Sequence, residues 1–281
     1  MSDNELVRKL HDDVAEAASD AQASTRPTGT SARQLARMVD DVVGKLQLSS
    51  SLSAVEYGCG VGLLALPIAR RVRRFVGVDI AAKPIEVLRR RLAAEAFANA
   101  EALVGDVADA DGLLGADTRF DRALMYAAFH YVRSEDEGRA VLAQIVKHLA
   151  VGGVTLVGNL PLAEVAAENQ RWLAGTTRLT QIVGQLGWAV AGWRSWRSIG
   201  WRLRVQLAVF RQQHFPARDD VRGPEFAMPG LPAGYCLPLS MRLIEGWLRA
   251  LPYRVTYEWL APGVDTPLLM GRADLRITRV A

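Results

Sequence analysis

The sequence predicts an α/β fold built on a mostly parallel sheet, and two observations predict it. The first is the stretch over residues 54–79, AVEYGCGVGLLALPIARRVRRFVGVD. It runs as strand, glycine turn, helix, strand and acid, which is half of a nucleotide-binding βαβ unit. The second is alternation. Apolar runs of strand length and helical apolar patterns follow one another as far as residue 159, as expected when helices cover a parallel sheet.

Within the first stretch, residues 53–57 make the strand and Gly58-Cys59-Gly60-Val61-Gly62 make the turn. Gly58 and Gly60 allow torsions that a Cβ would forbid and let a ligand approach the main chain. Gly62 is expected to let the first helical turn pack on the strand. Leu63, Leu64, Leu66 and Ile68 give the helix its apolar face, and residues 75–78 form the next strand, ending in Asp79. A carboxylate there can accept two hydrogen bonds from a ribose diol, and its distance from Gly60 is near the ~20 residues such sites use.

The glycine spacing is Glu56-x-Gly58-x-Gly60-x-Gly62, with an acid two residues before the first glycine. This resembles motif I of the class I S-adenosylmethionine (SAM) methyltransferases. A dinucleotide turn holds a pyrophosphate at a helix N-terminus. SAM instead carries an amino acid tail whose ammonium an acid beside the turn can hold. The passage HLAVGGVTLVGNL resembles the approach to strand five in the same family, so the resemblance covers residues 52–159 in register. It implies a Rossmann-like sheet of seven strands in the order 3-2-1-4-5-7-6. It also implies SAM as cofactor, held by Glu56, Gly58, Cys59, Gly60, Leu63, Asp79, Ile80, Asp106, Val107 and Tyr126, with SAH, S-adenosylhomocysteine, as the product.

At 281 residues the chain has room for one such domain and a large appendage. Half of its residues are hydrophobic and 23% are charged, a composition that supports a large core and excludes global disorder. Cys59 lies in the glycine turn and Cys236 far from it, so neither a disulfide framework nor a metal-ligand spacing is indicated. The first residues lack the apolar core of a signal peptide, and no run of 18 apolar residues is present; a cytoplasmic protein is expected.

Taken in order, residues 3–20 read as a helix and residues 19–30 as a loop. Thr30 or Ser31 then caps a second helix carrying Leu35, Met38, Val39, Val42, Val43 and Leu46. Residues 1–50 thus form a helical extension, which the resemblance places over the cofactor site. Residues 51–160 form the core. After Asp79, Pro84 begins a helix with Ile85, Val87, Leu88 and Leu92 inward; Arg89, Arg90 and Arg91 form its wet face. A strand over 101–104 leads into Gly105-Asp106-Val107, where the family bonds adenine. Asp109 and Asp111 are rivals, since a loop acid is often a turn former.

Strand four, residues 120–125, runs into Tyr126-Ala127-Ala128-Phe129-His130-Tyr131. Ligands of open α/β sheets lie beyond the carboxyl ends of strands near the switch point. His130 and Tyr131 are therefore the titratable candidates for the acceptor side, His130 as a proton acceptor or as a positioning group. Ser134 caps a helix over 135–149, residues 149–153 read as its stop, and residues 154–158 as strand five.

About 80 residues then precede the last helix and strands. Between Glu168 and Asp219 there is no acid, while Arg171, Arg178, Arg194, Arg197, Arg202, Arg204, Arg211 and Arg218 fall there. Five tryptophans, Trp172, Trp188, Trp193, Trp196 and Trp201, accompany them. The whole chain carries only +4, so a basic segment sits on a mildly acidic remainder and points to an anionic counterpart. Residues 161–238 read as a lid or substrate insert, helical over 161–186 and irregular over 215–238. Three occupants compete: an anionic small molecule, a membrane surface meeting Trp and Arg at headgroup level, and RNA. Glu164 and Asp265 are candidate counter-charges from outside the acid-free segment. Residues 239–281 complete the sheet, with Ser240 capping a helix and strands over 253–260 and 268–279.

The expected activity is transfer of a methyl from SAM to an oxygen or nitrogen of a small-molecule acceptor, with anionic, sugar-like and natural-product-like molecules as the candidates. The alternatives are an RNA or membrane-lipid methyltransferase and a non-catalytic SAM-binding protein. A sequence pI near 9.3 favours RNA. Against it, Met125-Tyr126-Ala127-Ala128 stands where an amino-methylation signature would carry Asn/Asp-Pro-Pro-Tyr. No metal-ligand cluster is read from the sequence.

Overall fold

The computed structural model describes residues 3–17, 32–168, 205–211, 231, 235–262 and 272–281. Its centre is β1 (Ser53–Tyr57), buried along its whole length. Parallel neighbours flank it on both sides, β2 (Arg74–Asp79) with Val55 opposite Val76 and β4 (Phe120–Tyr126) with Val55 opposite Ala123. Outward from these lie β3 (Ala100–Val104) and β5 (Leu149–Pro161). The sheet is completed by β7 (Arg272–Arg279), antiparallel to β5, and β6 (Val255–Leu260), antiparallel to β7. The order β3-β2-β1-β4-β5-β7-β6 is the one expected. Chain direction across the sheet reverses between β1 and β4, so the crevice beyond their carboxyl ends is the place for a ligand.

Each face of the sheet is covered because each helix presents one apolar stripe. On one face, α2 (Ala32–Leu46) and α4 (Ala82–Ala94) pack with the short α3 (Ala65–Ala69). Val42, Leu46, Ile68, Ile85 and Leu88 meet Ala54, Phe75 and Leu156 there. On the other, α6 (Glu135–Lys147) and α7 (Met241–Arg249) set Leu142, Ile145, Ile244 and Trp247 against Val55, Tyr57, Val157 and Leu275. The short α5 (Ala110–Leu114) precedes β4. A further helix, α1 (Asp3–Ala17), lies on α4, with Ala15 packed beside Val61 and Val87.

The two serine caps form as their sequences suggest. Ser134 Oγ accepts from the Glu137 N–H and Ser240 Oγ from the Leu243 N–H, each supplying an acceptor to an orphan donor of the first turn. Glu164 adds to the second cap by accepting from the N–H groups of Met241 and Arg242 at 2.9 and 3.3 Å. Its carboxylate therefore serves α7.

Three expectations are corrected. The helix after the glycine turn has only five residues, because Gly58, Gly60 and Gly62 all hold positive φ and extend the turn. Gly62 makes room for a helix and not for the strand: a Cβ there would stand 2.5 Å from Leu88 Cδ1 of α4. The expected stop over 149–153 is strand. The helix ends at Lys147, the Phe120 N–H bonds the His148 carbonyl at 2.8 Å, and Leu149 already pairs with Phe120. The two glycines are taken up where the register shifts between Phe120 and Arg122. Among the described residues, no helix is long and apolar enough to cross a membrane. The insert's five tryptophans, all its arginines but Arg211, and Asp265 lie outside the described residues.

Candidate active site

The glycine turn is held under the sheet edge by its own backbone. The N–H groups of Gly58 and Cys59 both donate to the Val78 carbonyl, at 2.8 and 3.1 Å, tying the end of β1 to the end of β2. Cys59 turns its sulfur inward against Gly77, and burial pushes its thiol pKa well up. Its part in the turn is the backbone. The Gly60 N–H donates to Asp79 Oδ2 at 2.8 Å, and the Ala81 N–H to Oδ1 at 2.9 Å. Two main-chain donors thus fix the carboxylate at the floor of the crevice. Burial raises its pKa above the usual carboxylate range, opposed by the Ala81 N–H, by His11 and by the Gly60 N–H.

Above this floor opens a cavity of about 190 Å³. Its wall contains Glu56, Gly58, Cys59, Gly60, Leu63, Asp79, Ile80, Asp106, Val107 and Tyr126, all ten residues that the sequence nominated for a cofactor. Glu56 is buried at the end of β1. Asp106 caps a turn of 3₁₀ helix through the Ala108 N–H at 2.9 Å and also reaches the cavity wall. Its rivals do not: Asp111 pairs with Lys147 and His148, and Asp109 is absent from the wall. Tyr126 packs over Gly158 of β5, where any Cβ would collide with its ring.

The two catalytic candidates separate. Tyr131 lines the cavity, and His130 does not. The two belong to one 3₁₀ turn, Phe129–Tyr131, and their rings pack together. His130 is buried, 4% exposed, and burial together with Arg272 and His11 pushes its pKa down to about 3. A ring so buried is held neutral, and it packs on Tyr131 with centroids 4.7 Å apart. Two residues the sequence did not nominate come in from α1. Val7 and His11 both line the cavity, and the His11 ring meets Tyr131 edge to face, centroids 5.2 Å apart.

The donor set fits an adenosyl amino acid. A Cβ built on Gly60 would meet no protein atom within 4 Å, so the main chain there is open to a ligand. Carboxylates of Glu56, Asp79, Asp106 and Glu137 line the wall, and among the described residues no lysine or arginine does. Residues 54–153 match the family model described as a methyltransferase domain.

Over those residues the chain is similar to methyltransferase domains.

The chain is 34% identical over 113 residues to magnesium-protoporphyrin O-methyltransferase of Rhodobacter capsulatus, an alignment covering 40% of this chain and 45% of that one. The chain spans less than half the length of the curated relatives it matches. Its fold is similar to phosphoethanolamine N-methyltransferase 1 of Haemonchus contortus, with TM-score 0.63 and 14% identity over 99% of this chain and 49% of that one. It is also similar to magnesium protoporphyrin IX methyltransferase of Synechocystis PCC 6803, with TM-score 0.52 and 13% identity over 99% and 100%. At these identities the two structures speak for the fold. Among the described residues, no group of three potential ligands is placed to hold a metal ion.

Proposed function

We propose that this protein binds SAM in the cavity beyond β1 and transfers its methyl group to an oxygen or nitrogen of a small-molecule acceptor. The observation that carries the reading is the union, in one cavity, of the open Gly60 main chain, the buried Asp79 carboxylate and the turn after β4. The sulfonium supplies an already activated methyl, so the protein's task is alignment and exclusion of water.

The residues divide that task. Asp79 keeps lone pairs beyond those used by Gly60 and Ala81 and would accept from the ribose hydroxyls. Glu56 stands where the ammonium of the amino acid tail would need a counter-charge. Asp106 and Val107 flank the adenine end. Tyr126 and Tyr131 face the acceptor side, and Tyr131 supplies a hydroxyl to orient the nucleophile. An anionic acceptor, bound through the arginine-rich insert, is the substrate class this reading favours. The compartment is taken as the cytoplasm, in keeping with two free cysteines. Titration calorimetry with SAH and with NADH tests the cofactor, and transfer of labelled methyl from SAM separates an enzyme from a SAM-binding protein. Binding of NADH without SAH would overturn the reading.

A further inference from the structure

The cavity has a wall that does not belong to the sheet or its crossover helices. Of α1, Val7 and His11 line it directly. The helix is held there by a specific bond. Ala81, the N-cap of α4, has no side chain able to cap. The acceptor comes instead from α1: Asp12 Oδ1 takes the Lys83 N–H at 2.9 Å, across 71 residues of sequence. Asp12 and His11 are adjacent, so the same helical turn that caps α4 delivers the imidazole to the cavity. One turn further on, Ala15 packs with Val61 and Val87 and closes the seam between α1, the glycine turn and α4.

We propose that α1 is part of the cofactor site, with His11 contacting the bound cofactor beside Asp79 and Asp12 docking the helix by capping α4. This rests on the SAM reading above. His11 is well placed for the role because its surroundings hold it from several sides. Asp79 faces it from the end of β2, and His130 and Tyr131 from the turn after β4; Asp12 is on its own helix, bonded to Lys83 of α4. Burial lowers its pKa below the ordinary value while Asp79 and Asp12 draw it back up. At neutral pH the ring is then neutral, with one nitrogen to donate and one to accept. Tyr131 fixes the ring plane edge to face, which leaves little rotamer freedom to lose on binding.

The arrangement couples docking to binding. If the cofactor contacts a group that only the docked helix presents, the cofactor must tighten the helix by the same factor that the helix tightens the cofactor. The experiment uses the full chain and SAH at neutral pH, with calorimetric affinity and amide hydrogen exchange as readouts. His11→Ala is expected to weaken SAH by roughly tenfold, the scale of one lost hydrogen bond. Asp12→Ala should weaken it similarly by undocking α1, whereas Asp12→Asn keeps the capping oxygen and should bind within about twofold of wild type. Amides of residues 3–17 should gain protection when SAH is added to wild type, and not in Asp12→Ala. If wild type binds SAH but His11→Ala and Asp12→Ala bind it equally well, α1 is only a cover and the proposal is wrong. Unchanged exchange in residues 3–17 overturns it too, even if Asp12→Ala fails to fold. If wild type binds no SAH, the cofactor reading itself falls, and this proposal with it.

Discussion

The Gly60 N–H and Asp79 Oδ2 lie 2.8 Å apart, so the glycine turn and the acid at the end of β2 are one hydrogen-bonded unit. Its second anchor is the Ala81 N–H. Asp79→Ala removes the charge and should weaken SAH by about 1.5–3 kcal/mol, the range for a charged hydrogen bond, as read by calorimetry. Stability should move the other way in Asp79→Asn. The folded-state pKa of Asp79 is raised, so the folded protein holds its proton more tightly than the unfolded chain. That contribution to stability is present below the ordinary carboxylate pKa and is lost as pH rises through the raised value. At pH 7 the buried charge is unfavourable without a ligand. Asp79→Asn should therefore melt at or above the wild-type temperature while binding SAH more weakly. A lower melting temperature would show that the carboxylate holds the turn together.

Gly60 and Gly62 should give opposite phenotypes. Gly60 has φ +52° and open space where a Cβ would stand, so Gly60→Ala should cost roughly 1–2 kcal/mol in backbone strain, fold, and bind SAH poorly. Gly62 has φ +90°, and its Cβ would meet Leu88 at 2.5 Å. Gly62→Ala adds overpacking of about 1–3 kcal/mol to the strain and should show first as a lower melting temperature. Equal SAH affinity in Gly60→Ala and wild type would mean that no ligand approaches this main chain.

The strands and the glycine turn were legible because they rest on local signals, and the strand order and the cofactor residues followed from the family resemblance that those signals carry. A glycine turn, an acid about 20 residues on and a period-2 strand can each be read within a short window. Two kinds of information were not local. Asp12 and Lys83 meet across 71 residues, and α1 alone reads as an amphipathic helix on which His11 is one polar residue among several. The turn after β4 was legible in position but not in burial, so His130 and Tyr131 looked equivalent until the cavity wall took in Tyr131 alone. Gly152 and Gly153 read as a helix stop because a bulge in a long strand and a C-cap use the same residue.

His130 should matter to acid stability more than to catalysis. Its folded pKa, about 3, lies below the unfolded value near 6.5, so the unfolded chain binds the extra proton first. Stability from keeping the ring neutral is full above pH 6.5 and is lost as pH falls toward 3. His130→Asn should flatten the decline in urea midpoint between pH 7.5 and 5.5. It should leave any pH dependence of methyl transfer in that range unchanged. A turnover profile that shifts with this substitution would return His130 to the reaction.

The arginine-rich insert is testable by its charge alone. Arg194, Arg197, Arg202 and Arg204 lie in an acid-free run, and guanidinium groups bind phosphate or carboxylate in bidentate fashion. Changing all four to glutamine should raise the acceptor's Michaelis constant and leave SAH affinity within about twofold, since charged hydrogen bonds to the acceptor alone are lost. Pull-downs with anionic liposomes and with RNA on the same variant distinguish the three candidate occupants. Wild-type behaviour in every assay would make these arginines solvated charge.

Lys45 is the keystone on the side of the sheet where α2 meets β7. Its ammonium touches Asp41 at 2.5 Å, the Ala261 carbonyl at 2.6 Å and Asp274 Oδ2 at 2.6 Å. Asp274 is fully buried, and its other oxygen accepts from the Asn159 N–H at 2.7 Å, where Asn159 holds φ +62°. This strained residue, where the β5–β7 register shifts between Val157 and Leu160, is thus fixed by a carboxylate whose charge is balanced from a helix. Removing the cation leaves that carboxylate buried and uncompensated, so Lys45→Met should lose about 3–5 kcal/mol in urea unfolding. Adding Asp274→Asn removes the stranded charge while an amide oxygen remains for the Asn159 N–H. The double variant should therefore be more stable than Lys45→Met alone, although both lack the ion pair. If the double variant is the less stable of the two, the stranded charge is not what Lys45→Met suffers from, and the loss lies in packing around the lysine stem.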